Sequence, residues 1–281
     1  MQRIALVTDS AADLPPALRA SLEATVVPLL VYFGDEEMRA DELTPEAFWA
    51  RLTASGAPLP RTAACSPADF QAAFAAAFAA GAEAIICVTV GGKLSATLKS
   101  AQIAAQQLAP REIHVIDSEC ASMGEGLLLQ VAAALREAGE PPAMVAERTL
   151  ARRADIRFYV ALETMEHLRR GGRISGRQAA IGSVLSVKPI ITINEGVVEM
   201  LDRVRTRSKA RERVLELITA RPLDRVAILH AQTADIDTFR EEVMVRSGLA
   251  PDRVSTALIG ASIGPHVGPG AYGAVCLYRP S

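Results

Sequence analysis

At 281 residues the chain exceeds the commonest single-domain size and suits two domains, and with half of its residues hydrophobic it can build real cores. Only 4% are aromatic, so those cores are aliphatic, and an aromatic base-stacking surface for single-stranded nucleic acid is disfavoured. The formal charge of −2 is uneven: residues 1–150 hold 10 Lys and Arg against 18 Asp and Glu, residues 151–281 hold 20 against 14, which fits either two domains attracted across a cleft or a basic, phosphate-facing surface on the second half.

The chain opens on "RIALVTDS", a strand-length apolar run that meets polar residues at once, unlike a signal peptide, and the expected compartment is the cytoplasm. "DLPPALRASL" is a helix with prolines in its first turn. In "SPADFQAAFAAAFAAG" Ser66 is an N-cap, Asp69 completes a capping box and Gly81 ends the helix. Phe70, Phe74 and Phe78 recur every four residues and share one core-facing side. The alanine-rich stretch from Phe70 to Val90 is broken by Gln71, Gly81 and Glu83, so it reads as a helix and then a strand, with no membrane span.

"AIICVTV" is a buried strand, "GGKLSAT" a loop, "LKSAQIAAQQL" a helix and "IHVIDS" the next strand. This βα alternation predicts a parallel sheet in the first half, with ligands beyond its strand ends, near Thr8, Asp9, Ser10, Asp117, Ser118 and the 91–97 loop. Near residue 155 the pattern changes. "RFYVAL" is a strand, "ETMEHLRRGG" a short helix, "SGRQAAIGSVLSV" another helix, and "PIITINEGVVEMLDRV" a hairpin turning at Asn194 to Gly196. Then come the helix "SKARERVLELI", the strand "RVAILHA", the helix "DIDTFREEVMV", the strand "RVSTALIG" and the final strand "AVCLY". Between the last two strands, "IGPHVGPGAYG" places His266 among four glycines and two prolines; a turn needs the glycines and prolines but not an imidazole.

Several chemistries are disfavoured by spacing. Cys65, Cys87, Cys120 and Cys276 form no C-x-x-C, and His114, His167, His230 and His266 form no metal-binding cluster, so neither a metal nor a disulfide framework is expected. No G-x-S-x-G elbow, dinucleotide fingerprint or P-loop is present. A serine at a strand end meeting His266 in space keeps a serine-dependent hydrolase or acyltransferase as the alternative to a binding protein. "GGKLSAT" sits between strand and helix, where free amides and the Ser95 and Thr97 hydroxyls can receive an anion; N-capping by the same hydroxyls is the competing reading. Thr62, in the loop before the helix that Ser66 caps, is similarly ambiguous. Basic residues fill every second position from Arg203 to Arg213, and Arg169, Arg170, Arg173 and Arg177 cluster in "RRGGRISGR", which suits an acidic or phosphorylated partner; a solvated charged edge is the plainer account. No DNA-reading motif accompanies them, so no nucleic-acid partner is expected.

"VTDSAADLP", "KLSATLKSA", "VIDSECASMGEG", "LRRGGRIS", "KPIITINEG", "VRTRSKA" and "GPHVGPGAYG" occur in an order that resembles the DegV family of bacterial fatty-acid-binding proteins over the whole chain. The resemblance implies an α/β fold of two domains, 1–155 with a parallel Rossmann-like sheet and 156–281 with a mixed or antiparallel sheet flanked by helices. It implies a long-chain fatty acid between them, no catalytic residue and no cofactor. The implied partner is a fatty acid kinase that phosphorylates the bound carboxylate. On this resemblance the headgroup falls to Thr62, Ser95 and His266, with Gly92 and Thr97 from the same loop, and Arg173 near the headgroup or the kinase. The chain departs from the family in having "TAACS" where T-S-Q-P-S is usual, Ala96 in place of a glycine after Ser95, and Gly91-Gly92 where two serines are common. Lost hydroxyls weaken the headgroup assignment, while the glycines still expose their amides.

Overall fold

The computed structural model describes residues 3–56, 58–174 and 187–280; the helix expected from Ser175, and Arg177 with it, lie outside the described residues. Strand β1 (Ile4–Asp9) is central to a parallel sheet of order β2-β1-β6-β7, with β2 Thr25–Val27, β6 Ala84–Thr89 and β7 Glu112–Asp117. Every residue of β6 is buried, as befits a parallel strand covered on both faces. The order places neighbours on both sides of β1, and the crevice between β1 and β6 is where such sheets open a site at their carboxyl ends.

The helices follow the local signals. α1 (Pro16–Leu22) starts on proline, and α3 (Pro67–Ala79) begins at the expected capping box, where the Asp69 amide donates to Ser66 Oγ at 3.2 Å and the Ser66 amide to Asp69 Oδ2 at 3.0 Å. α4 (Thr97–Gln107) links β6 to β7. Between β2 and α3 lies a piece with no counterpart in the sequence pattern: a small antiparallel sheet of β4 (Glu36–Arg39), β3 (Leu30–Phe33) and β5 (Arg61–Ala63), with α2 (Pro45–Leu52) between its last two strands in sequence.

After residue 155 the strands form one mixed six-stranded sheet, β10-β9-β8-β13-β11-β12. Its members are β8 Ile156–Ala161, β9 Lys188–Asn194, β10 Val197–Val204, β11 Leu223–His230, β12 Val254–Leu258 and β13 Tyr272–Tyr278, and only β11 and β12 pair in parallel. The β9–β10 hairpin turns at Glu195 and Gly196, with φ of +47° and +76°. Two successive positive φ values define the turn that matches strand twist, and only a glycine-containing pair holds it cheaply. Helix α5 (Met123–Glu137) packs against β1 and β6 on one side and against β8, β11 and β13 on the other, so it is shared by both large sheets. Buried residues of α5 such as Leu128 belong to one hydrophobic cluster that runs from Leu6 in β1 to Val275 in β13. α6 (Pro142–Arg152) and the five-residue α7 (Glu166–Arg170) complete the elements that frame the site, with the helices Arg207–Ile218, Ile236–Ser247 and Gly264–Val267 on the later chain. Among the described residues no helix is long and apolar enough to cross a membrane.

Three of the six basic residues from Arg203 to Arg213 are paired with carboxylates. Arg207 pairs with Glu163 and Asp235, Arg211 with Asp235 and Glu242, and Arg213 with Asp202 and Glu216. Pairing of these three residues fits the solvated, charged edge that is the plainer account of the series.

Candidate functional site

His266 stands in the one-turn helix Gly264–Val267, and glycine at both ends lets that turn sit tightly against its neighbours. A Cβ on Gly264 would lie 2.2 Å from Phe48 Cε1, and one on Gly268 (φ +73°) 2.3 Å from His167 Cδ2, so the turn is wedged between α2 and α7. Trp49 in α2 also donates its indole N–H to the Ile259 carbonyl at 2.7 Å. Thr62 arrives from the small sheet: β5 pairs with β3, Thr62 opposite Val31. The Thr62 Oγ1 and His266 Nε2 atoms meet at 3.0 Å, across more than 200 residues of sequence.

Thr62 and His266 line a cavity of about 650 Å³ together with Ser95 and Arg173. The remaining walls are almost wholly apolar: Ala11, Leu29 and Val90 from the first half, Phe158, Ile191 and Ile193 from the second. That lining has the character of a small-molecule site, mostly apolar with a few polar groups gathered at one place. On the other side of Thr62, His266 and Arg173 opens a second hollow, of about 660 Å³, which also takes in Arg61, His167 and Arg170. The polar trio is thus a neck between an apolar chamber and a basic vestibule.

The electrostatics of the neck follow from burial. His266 is pushed down to about 4 by desolvation first, then by the positive Arg173 and His167, so the ring is neutral at pH 7. Its Nδ1 has no partner among the described residues and faces Gly171, where a Cβ would lie 2.3 Å away. Arg173 is fixed by its own bonds, donating from Nε to the Leu94 carbonyl at 3.2 Å and from Nη1 to the Gly171 carbonyl at 2.5 Å.

Two of the six residues expected at the site are elsewhere. Thr97 is fully buried and shares a 2.9 Å hydrogen bond with Ser95 Oγ instead of facing the cavity. The Gly92 amide donates to Asp117 Oδ1 at 3.1 Å, so it is spent within the protein. Ser95 combines both readings of its loop, since it accepts from the Thr97 amide at 3.3 Å as a helix start does and also lines the cavity. Asp9, expected among the ligand-facing strand ends, lies behind the wall: its carboxyl accepts the Ala11 and Val90 amides, each at 2.9 Å, and holds those two lining residues in place. Asp13 does the same for the loop before His266, accepting Gly260 N–H at 2.8 Å and Ser122 O–H at 2.6 Å. Burial raises Asp9 to about 6 and Asp13 to about 7, and Glu125 beside them is held well above its usual range by burial and by the charges of Asp9 and Asp13. The strand-end "VTDS" pattern marks Asp9, but not whether it faces the ligand or the backbone, and Asp13 and Glu125 carried no such signal. Ser262, which also lines the cavity and meets Ser10 Oγ at 2.8 Å, carried no sequence signal.

Among the described residues no serine is hydrogen-bonded to a histidine, and no carboxylate orients His266. Nor do the described residues gather three or more His, Cys, Asp or Glu that could hold a metal ion.

The family described as "Uncharacterised protein, DegV family" matches residues 3–279. The chain belongs to the DegV family. A DegV domain-containing protein of Streptomyces coelicolor is 33% identical, covering 99% of each chain, and another from Deinococcus radiodurans is 34% identical, covering 96% of each. Among solved structures, a DegV-family protein from Thermus thermophilus, described by its fatty acid binding, is similar with a TM-score of 0.89 at 36% identity, covering 99% of this chain and all of the other. DegV of Bacillus subtilis, described as a fatty acid binding protein, superimposes with a TM-score of 0.86 at 29% identity, covering 98% and 99%. The α/β architecture of the chain is that of the DegV family.

Proposed function

We propose that this DegV-family chain is a non-catalytic carrier that holds a long-chain fatty acid, tail in the apolar chamber and carboxylate at the neck, and presents that carboxylate to a fatty acid kinase. The observation that carries the reading is the Thr62–His266 hydrogen bond set between an apolar cavity and a basic vestibule. In the neutral tautomer that carries its proton on Nε2, the ring donates to Thr62 Oγ1 and leaves the Thr62 hydroxyl proton free to donate to a carboxylate oxygen. Ser95 and the Arg173 guanidinium supply the further donors that a buried carboxylate requires. The likeness to the Thermus and Bacillus proteins, which are described as binding fatty acids, supports the ligand class.

The tail provides the affinity. About fifteen buried methylenes at roughly 0.8 kcal/mol each give on the order of 12 kcal/mol of gross transfer energy, from which association removes several kcal/mol. Residues 1–155 and 156–281 act as two domains in this reading, because each contributes one wall of the chamber. The vestibule arginines Arg61 and Arg170 sit outside the carboxylate, on the side from which a phosphoryl group would come.

Native mass spectrometry of the purified protein, followed by denaturation and lipid extraction, tests the carrier. The expected result is one bound C14 to C18 fatty acid per chain. A ligand-free mass that stays unchanged after incubation with such acids overturns it. For the kinase step, acyl phosphate should form from the loaded protein, ATP and a cognate kinase, and not from the free acid.

A further inference from the structure

A second cleft, of about 940 Å³, opens between α5, α6 and the beginning of β11. It is remote from the neck. β11 ends at His230, whose carbonyl accepts Ile259 N–H beside the segment that carries His266, whereas the cleft lies at the opposite end of the strand, where Arg225 pairs with Leu277. Its floor is apolar, formed by Val131, Leu135, Ala151 and Leu277, and its rim carries four arginines against the single carboxylate of Asp224.

Three of those arginines are already occupied. Arg148 donates to Glu140, Arg152 pairs with Asp155 and Asp224, and Arg253 pairs with Asp224 and Asp252. Arg225 has no ion pair among the described residues, and its hydrogen bond there is a 3.3 Å contact from Nη1 to Gln130 Oε1. That contact fixes the orientation of the Gln130 amide, because the reverse would set NH₂ against a guanidinium. Nε2 is consequently left buried without a partner.

The backbone is adjusted to bring this about. Leu223 pairs with Tyr278 and Arg225 with Leu277, so Asp224 is an extra residue in β11. In a regular strand consecutive side chains point to opposite faces; the bulge turns both Asp224 and Arg225 toward the cleft.

We propose that this cleft is a second ligand site, which binds a single-headed amphiphilic oxyanion. Arg225 and the Gln130 amide take the carboxylate or phosphate oxygens, and the floor from Val131 to Leu277 takes a short apolar chain. One free guanidinium and one free amide match one anionic head. An extended acidic partner would set its further charges against arginines that are already paired.

Octyl phosphate, octanoate and inorganic phosphate are titrated separately into the full chain, with NMR detection of the Gln130 side-chain NH₂ and the Arg225 Nε–H and with calorimetry for affinity. Octyl phosphate should move both signals, and Arg225→Gln and Gln130→Leu should each weaken it tenfold or more without changing the thermal midpoint by more than a few degrees. Octanoate binding equally well assigns any oxyanion, and weaker octanoate binding assigns a phosphate monoester; either supports the site. Unchanged affinity in both variants, or shifts at Thr62 and His266 with none at Gln130, overturns it. Inorganic phosphate binding as tightly as octyl phosphate overturns the amphiphilic class.

Discussion

Two buried polar clusters stand on opposite sides of the same cavity wall, and they are built on opposite principles. Behind the wall, Asp9 and Asp13 are acceptors whose lone pairs are taken by amides and a hydroxyl of the chain itself. In front of it, Thr62, Ser95 and Arg173 retain donor capacity toward the chamber, with the neutral His266 ring bonded to Thr62. A cluster that satisfies itself holds a loop in place, whereas one that keeps capacity can hold a ligand. The first should therefore govern stability and the second affinity.

The largest effect is expected behind the wall. Asp9→Ala leaves the Ala11 and Val90 amides buried without acceptors and should destabilise the fold by about 2–4 kcal/mol in urea denaturation, at the 1–3 kcal/mol typical of each such group less the relief of a buried carboxylate. Asp9→Asn retains one acceptor and should lose about half as much. An Asp9→Ala protein of normal stability that has lost fatty acid would break the comparison.

In front of the wall the signs reverse. Thr62→Val keeps the shape of the side chain but deletes the hydroxyl, and should weaken fatty acid binding about tenfold to a hundredfold, the worth of a hydrogen bond to a charged group. Its unfolding free energy should move by less than about 1 kcal/mol. Gly171→Ala sharpens the point without touching a polar atom. The new methyl would meet His266 Nδ1 at 2.3 Å and push the ring off Thr62, for a loss of about tenfold in affinity by calorimetry. Affinity unchanged in both variants would return the Thr62–His266 pair to a structural contact.

The smallest expected effect is in pH. His266 is lowered to about 4 in the folded chain, against an ordinary value of 6.5, so between those values the unfolded chain binds the extra proton. The neutral ring therefore adds stability as pH rises from about 4 to 6.5. Asp9 and Asp13, raised to about 6 and 7, bind protons preferentially in the folded chain and subtract stability as pH rises from about 4 to 7. His266→Gln removes the first contribution and should make stability fall more steeply with rising pH in that window, as read by urea midpoints at pH 4.5 and 6.5. Parallel profiles for variant and parent would deny His266 its buried, neutral state.

Local chemistry decided much of this protein in advance. The Ser66 box, the Glu195–Gly196 turn, the buried run Ala84–Thr89 and the ordered set of DegV motifs are short-range patterns, and each reads the same in the sequence and in the fold. So does the separation into a parallel sheet followed by a mixed one, because βα alternation and hairpin signals are local. The β3–β4–β5 sheet carries no such pattern; its strands are three or four residues long, below the reach of a period-two count, and its contacts come from distant chain, Phe33 against Phe48 of α2 and Thr62 against His266. The family resemblance named Thr62, Ser95, Gly92, Thr97, Arg173 and His266 together, and could not divide them. Whether an amide or hydroxyl is left over for a ligand depends on which partners arrive from distant chain, and here Asp117 takes Gly92 and Ser95 takes Thr97, while His266 and Thr62 meet with capacity to spare. Hydrogen-bond capacity is consumed by tertiary contacts, so the candidate list was a property of the sequence and the neck a property of the fold.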